Sequence, residues 1–431
     1  MNQSATKSLR VLPNGLKLYC LAHPGIKTLT MHAWVFTGSA FESPEVNGVS
    51  HFLEHMLFRG NAQLGNSVEM SLAIERLGGE MNAATGFDHT EYWLECHRDY
   101  LDQALSNFAA FLCYPSFEQI DTERAIILEE IKSDFNEKEQ LIDPDQLSAQ
   151  AIWPGQAMGL PVSGTQASVS ALEVPHLRGW YEQYYTANNM ILGISGDFDP
   201  ARAEEMFSHH LAQLPPGRRY QYQPPVSRIL AETQFTWSVE PDNQYNLAWS
   251  FLHDHLTPRH RVLLQLISRM LDDGSSSRLQ RIIREELGLV YDIHLSPSFY
   301  DGGAALVLQA TVGKERLGEL VDALVVLLNE VIQKGFGPEE LHLSKLRLQT
   351  ALDCFSDTAE GRLHEMVAPE LYPAYLPLDS LTHLLAEIDL EEVNQMAAKV
   401  LSNKESAFVF VGPEPGPLKG KIQDKLAPWS L

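Results

Sequence analysis

The sequence predicts an α+β protein made of two halves that share one plan. Three observations carry this expectation. The chain has 431 residues, more than one ordinary core needs and suited to two domains of about 200 residues each. Segments of strand-like and helix-like character alternate along it. The order of motifs seen early in the chain returns after a proline-rich stretch.

Leu16 to Ala22 and Leu29 to Phe36 read as strands, joined by the turn signal His23-Pro24-Gly25. Helices follow around residues 47–58, 67–77, 98–113 and 118–138. Between Leu211 and Val226 the chain carries Pro215-Pro216-Gly217 and Pro224-Pro225 among polar residues, the best linker signal in the sequence. The expected division is therefore a first domain over 1–213, a linker over 214–226 and a homologous second domain over 227–431.

The repeat is visible residue by residue. Ala33-Trp34 has a counterpart in Ala248-Trp249. His51-Phe-Leu-Glu-His-Met-Leu-Phe-Arg-Gly60 aligns without gaps on Gln265-Leu-Ile-Ser-Arg-Met-Leu-Asp-Asp-Gly274, and Phe117 through Glu130 on Phe336 through Gln349. In this register Gln265, Ser268, Arg269 and Gln349 stand where the first half has His51, Glu54, His55 and Glu130. The scaffold is duplicated, but the ionisable set occurs once.

Bulk composition removes several function classes. Thirty-two basic against 56 acidic residues give a net charge of −24, which argues against nucleic acid or an anionic membrane surface as the main partner. No apolar run approaches the roughly 18 residues of a membrane span, and the N-terminal Met-Asn-Gln-Ser-Ala-Thr-Lys-Ser shows no apolar signal region. Cys20, Cys96, Cys113 and Cys354 are widely spaced, with no CxxC pair. They read as reduced cysteines, and the expected compartment is the cytoplasm.

The chemistry is concentrated between Val49 and Gly60. Val49, Phe52, Leu53, Met56 and Leu57 follow the spacing of one buried helical stripe. At about 100° per residue, His51, Glu54 and His55 gather on the other side. His51 and His55 stand one turn apart and can share a metal, with Glu54 beside them. A bare HxxxH on a surface helix is commonplace and usually means a solvated face. HxxEH framed by apolar residues is the inverted zincin spacing, a far more specific signal.

A catalytic zinc usually takes three protein ligands and leaves a fourth position for water. The third is expected from the segment Asp121-Thr-Glu-Arg-Ala-Ile-Ile-Leu-Glu-Glu130-Ile-Lys. Glu123 and Glu130 share a helical face, Glu129 lies about 100° from Glu130, and geometry alone leaves Glu129 and Glu130 both open. Zinc in such a site lowers the pKa of bound water toward ~7 and polarises a carbonyl. Glu54 is placed to take the water's proton and pass it to a leaving amine, which is peptide hydrolysis.

With these residues in place, the sequence resembles the pitrilysin/insulinase family of inverted-zincin metallopeptidases, in particular its short, mitochondrial-processing-peptidase-like branch. The resemblance spans nearly the whole chain, through Leu12-Pro-Asn-Gly-Leu16, Gly48-Val-Ser-His-Phe-Leu-Glu-His-Met-Leu57, Gly78-Gly-Glu-Met-Asn-Ala83, Glu123-Arg124 to Glu130, Gly164-Thr165 and Asn189-Met190 to Gly196-Asp197. It implies two α/β-sandwich domains, each a mostly antiparallel sheet covered by helices. It also implies Glu130 as the third metal ligand and Glu123 as the carboxylate that orients a histidine. Asn82, Ala83 and Ala84 become the edge strand that pairs with substrate, although Asn82 alone could be a turn residue after Gly78-Gly79.

In the second half the resemblance assigns Arg284 and Tyr291 to the scissile carbonyl, as hydrogen-bond donors to its oxyanion. Gly288 ends a helix and Tyr291 opens a strand, so the two side chains could converge. Gly274-Ser-Ser-Ser-Arg278-Leu279 fits the same family and, lacking a P-loop lysine, is no phosphate cradle. Members of this branch enclose a chamber between two chains. The expected protein is thus a zinc metalloendopeptidase with one Zn²⁺ per chain, acting on peptides or unfolded segments as a homodimer or as a heterodimer with a related chain. The alternatives are the catalytic subunit of an obligate pair that matures one peptide, and a non-catalytic scaffold. An intact metal set argues against the scaffold.

Overall fold

Strands form where apolar and β-branched residues recur, and two separate sheets result. The computed structural model describes residues 6–226, 229, 234–372 and 374–429. The first five residues, on which the reading of the N-terminus partly rests, and residue 227, where the expected second domain begins, lie outside the described residues.

The first sheet is built from β1 (Thr6–Val11), β2 (Lys17–Ala22) and β3 (Thr28–Val35). A two-residue ladder of β4 (Gly60–Asn61) and β5 (Gly65–Asn66) stands apart. β6 (Glu80–Thr85), β7 (Thr90–His97) and β8 (Met190–Gly196) complete it. The order of this six-stranded sheet is β1-β2-β8-β3-β7-β6. β2 and β8 run parallel, and every other pair is antiparallel. The central β3 is buried from Leu29 to Val35, which is why it reads as a continuous apolar run rather than an alternating one. β6 lies at the edge, paired on one side with β7.

The second sheet contains β9 (Phe235–Val239), β10 (Gln244–Asp254), β11 (Val290–Tyr300), β12 (Gly303–Gly313) and β13 (Ser406–Gly412). Its order is β11-β12-β10-β13-β9. Here too one pair, β13 with β9, is parallel and the rest are antiparallel. Strand for strand this repeats the first sheet without β1, and Trp34 and Trp249 both lie fully buried on the central strands. Helices cover both sheets, as the α+β sandwich reading expects.

Packing divides the chain differently from a single cut. One unit comprises the chain up to Lys132, Leu160–Gln223 and Phe355–Leu371; the other comprises Ser133–Gly159, Pro224–Cys354 and the chain from Tyr372 on. The expected boundary at 213–227 is therefore crossed by two helices. Pro144–Ile152, from the first half of the sequence, packs on β10 and β13. Its Leu147 joins Ala248, Val409 and Val411 in a small apolar cluster. Ala359–Leu371, from the second half, packs on β2 and β8. Close approach there depends on Gly193, where a Cβ would meet Leu363 at 2.9 Å and Trp34 at 3.0 Å. Lys17 Nζ donates to both oxygens of Glu370 at 2.7 Å, and the Tyr19 hydroxyl bonds the same carboxylate.

The helix expected over 118–138 is shorter, spanning Ile120–Lys132. Beyond it Asn136 Oδ1 accepts from the amides of Lys138 and Gln140, at 2.9 Å each, and this side-chain-closed turn competes with helix. Among the described residues no helix is long and apolar enough to cross a membrane.

Candidate metal centre

The helix Val49–Leu57 buries Val49, Phe52, Leu53, Met56 and Leu57, the stripe its periodicity predicts. Its first turn is held from outside. Gly48 precedes it with φ +87°, and a Cβ there would lie 2.7 Å from Gly164 Cα and from Ser163 O. The buried Glu42 carboxylate accepts from Gly48 N at 2.7 Å, Ser50 N at 2.9 Å and Asn47 Nδ2 at 2.9 Å. Free N–H groups at the helix start are thus satisfied by an acid six to eight residues upstream.

The polar side of this helix meets the helix Ile120–Lys132, anchored through buried Ile127 and Ile131. Glu130 Oε1 lies 3.8 Å from His51 Nε2, and Glu130 Oε2 lies 3.8 Å from His55 Nε2. One donor atom from each of His51, His55 and Glu130 falls within 4.8 Å of the others, and no other such group occurs among the described residues. These separations are too long for hydrogen bonds but suit neighbouring vertices of a metal's coordination sphere. Glu129 turns away to Lys132, with 2.5 Å between carboxylate and ammonium. Of the two glutamates left open by spacing, Glu130 is the one that faces both histidines.

Burial and neighbouring groups act on His51, His55 and Glu54 in different directions. Burial, with His55 adding to it, pushes the His51 imidazole pKa down to about 4, so the ring is neutral and able to donate a lone pair. For His55, burial acts downward, but the Glu123 carboxylate outweighs it and raises the pKa. His55 Nδ1 bonds Glu123 Oε1 at 2.8 Å. With Nδ1 engaged there, Nε2 of the same ring faces Glu130. Glu123 is itself buried, and its Oε2 accepts from Arg59 Nε. Glu54 lies beside the two histidines. Burial raises its pKa, while the Thr85 hydroxyl bond and His55 act in the opposite direction. Two imidazole nitrogens, one carboxylate oxygen and an adjacent acid fit a zinc ion with an open position.

An open cavity beside these groups is lined by Glu54, His55, Phe58, Arg59, Met81 and Asn82. Asn82, Ala83 and Ala84 lie within β6, so Asn82 is a strand residue, not a turn residue after Gly78-Gly79. Its Oδ1 accepts from the amide of Ala83 at 2.9 Å.

Arg284 and Tyr291 belong to the other packing unit and come together there. Arg284 sits in a π-helical segment, Leu279–Glu286; Gly288 follows with φ +54°. The register of β11 shifts between Val290 and Asp292, a bulge that singles out Tyr291. The guanidinium carbon lies 5.9 Å from the Tyr291 ring centre, and the tyrosine is 87% exposed. Gln280 Oε1 accepts from Arg284 Nη1 at 3.3 Å. Three of the four residues that stand in for the metal set in this half are engaged structurally: Ser268 Oγ donates to Leu295 O, Arg269 pairs with Asp273, and Gln349 bonds Asp353.

Three residues of the centre escaped the sequence reading. Arg59 was detectable, being one helical turn beyond His55. Thr85 and Glu42 reach the helix from elsewhere, and no local pattern marks them.

Residues 20–166 match the model of "Insulinase (Peptidase family M16)", and residues 171–348 match "Peptidase M16 inactive domain". The chain is 24% identical over 406 residues to the uncharacterized zinc protease YmxG of Bacillus subtilis, covering 93% of this chain and 97% of that protein. It is 26% identical over 418 residues to an uncharacterized zinc protease of Mycobacterium leprae, covering 95% and 93%. Its fold is that of a protease from Helicobacter pylori, with TM-score 0.82 at 17% identity over 95% of this chain and all of that one. It also matches a peptidase M16 inactive domain from Pseudomonas fluorescens, with TM-score 0.84 at 18% identity over 95% and 98%. With both of its domain models matched in succession on a duplicated sheet, the chain belongs to the insulinase family of peptidases, family M16.

Proposed function

We propose that this protein is a zinc metalloendopeptidase that hydrolyses peptide bonds in peptides or unfolded segments. The observation that carries the reading is the convergence of one donor atom each from His51, His55 and Glu130 within 4.8 Å, with Glu54 on the same helix. Relatives named zinc proteases support the choice of metal. When bound, zinc supplies Lewis acidity that makes water a nucleophile near neutral pH and polarises a carbonyl. Glu54 takes the proton from the attacking water and delivers it to the departing amine. Glu123 keeps His55 oriented throughout.

The edge strand β6 offers backbone groups of Asn82, Ala83 and Ala84 for pairing with an extended peptide, which favours binding of sequence-tolerant kind. Arg284 and Tyr291 act as donors to the oxyanion of the scissile carbonyl. Because both sets are carried on this chain, a second copy of it is the favoured partner, and a related chain is the second reading. The four unpaired cysteines support a cytoplasmic setting.

Metal analysis and peptide cleavage on the wild type beside Glu54→Gln test the proposal. About one zinc per chain is expected in both, with hydrolysis lost in the variant. A wild type that binds no zinc overturns the reading. Zinc binding without cleavage by this chain alone moves the partner-dependent reading ahead.

A further inference from the structure

We propose that Arg59 is a positioning residue of the metal centre, acting through Glu123 on His55; this rests on the zinc reading above. The buried Glu123 carboxylate has two oxygens and two distinct duties. Oε1 takes His55 Nδ1 at 2.8 Å, and Oε2 takes Arg59 Nε. Among the described residues these are the two ion-pair partners of Glu123. A histidine that ligates a metal is neutral, so it supplies a hydrogen bond but no charge. Arg59 therefore carries the full positive charge that a buried carboxylate requires, since an uncompensated one is costly.

The placement of Arg59 is built into the backbone. Its amide donates to Met56 O at 3.1 Å, extending the helical end by one turn past His55. Gly60 follows with φ +120°, and a Cβ there would lie 2.3 Å from Gly65 O. The chain leaves the helix along a fixed path, in the ladder of Gly60–Asn61 with Gly65–Asn66. The arginine stem is thereby aimed back at Glu123 rather than into solvent, and its side chain is only 17% exposed. With Oε2 held, Oε1 cannot rotate away from His55, and the imidazole keeps its lone pair on the metal side. Outer partners of this kind affect metal affinity about 10- to 100-fold when removed.

The test measures zinc affinity by competition with a chromophoric chelator, and the visible spectrum of the cobalt-substituted protein, for wild type, R59M, R59K, E123Q and the R59M/E123Q pair. R59M is expected to bind zinc roughly tenfold or more weakly and to shift the cobalt bands. R59K, which restores the charge, recovers part of the loss. The double variant is expected to be no weaker than E123Q alone, because both changes break one chain of contacts. An R59M protein with wild-type zinc affinity and cobalt spectrum overturns the inference, as does full additivity with E123Q. If R59M does not fold, R59Q replaces it under the same criteria. A wild type without zinc affinity removes the metal reading itself, whereas intact wild-type binding with an unaffected R59M removes only the role of Arg59.

Discussion

Thr85 donates its hydroxyl to Glu54 Oε2 at 2.5 Å, and so joins the last residue of the edge strand β6 to the acid of the HxxEH helix. Among the described residues, Glu54 Oε1 has no hydrogen-bond partner beside this Oε2 contact. The bond couples the strand proposed to pair with substrate to the residue proposed to move the proton.

Replacing Thr85 with Val keeps the shape and removes the donor. A hydrogen bond to a charged group is worth about 1.5 kcal/mol, so kcat for peptide hydrolysis should fall about tenfold. Zinc content should stay at the wild-type level, because no ligand is touched. Steady-state kinetics with metal analysis check this; an unchanged kcat would show that Thr85 does not hold the base.

Glu129 and Glu130 are adjacent but have different surroundings, the first against Lys132 and the second facing both histidines. Glu130→Gln should weaken zinc binding by at least about tenfold, as expected for loss of a charged ligand. Glu129→Gln should stay within about twofold of wild type, since exposed pairs contribute little. Equal zinc affinity in the two variants would contradict the assignment.

Gly48 is the hinge on which the metal-site helix enters. Gly48→Ala forces a side chain into φ +87° and against the Gly164 backbone at 2.7 Å. Strain and overpacking together are expected to cost about 3 kcal/mol, seen as a lowered midpoint of thermal unfolding and weaker zinc retention. An Ala variant as stable as wild type would mean that the helix entrance tolerates displacement.

The pH dependence of one anchor has a definite sign. Burial alone would raise the Glu370 pKa, but hydrogen bonds from Lys17 and Tyr19 outweigh it and hold the carboxyl below its ordinary value. Its folded pKa is thus below its unfolded one. The stabilisation is complete above the unfolded value of about 4.3 and is lost as pH falls through the folded value. The group is partly exposed, so the effect is about 1 kcal/mol at most. The melting temperature of wild type should exceed that of Glu370→Gln at pH 7, with the gap closing on acidification. A gap that ignores pH would rule out the ion pair as its cause.

Much of the fold was legible because apolar periodicity reports burial directly. The spans Leu16–Ala22 and Leu29–Phe36 fall within a residue of β2 and β3. The stripe from Val49 to Leu57 is buried as its spacing requires. Local rules see less where tertiary contacts decide. They extended the helix of Glu130 to residue 138, past a turn closed by the Asn136 side chain. They placed one boundary in the Pro-rich segment, because composition marks loops but not which sheet a helix will cover. His51 and His55 were readable from their shared helix, while Thr85, 31 residues from Glu54 along the chain, reaches that helix only after the chain has folded.

The helix Ala359–Leu371, seated on β2 and β8, also bears on the order in which the protein forms. During synthesis the first sheet can pair all its strands once residue 196 has emerged. One of its faces then lacks Leu363 and the Glu370 anchor until another 160 or so residues follow, at about 5–20 residues per second a wait on the order of ten seconds or more. That nascent unit must hold apolar surface in reserve, and a ribosome-bound chain stopped near residue 213 should be readily digested by added protease. Extension of the same chain beyond residue 371 should bring protection, making completion of the unit that carries His51 and His55 a late event in its own biogenesis.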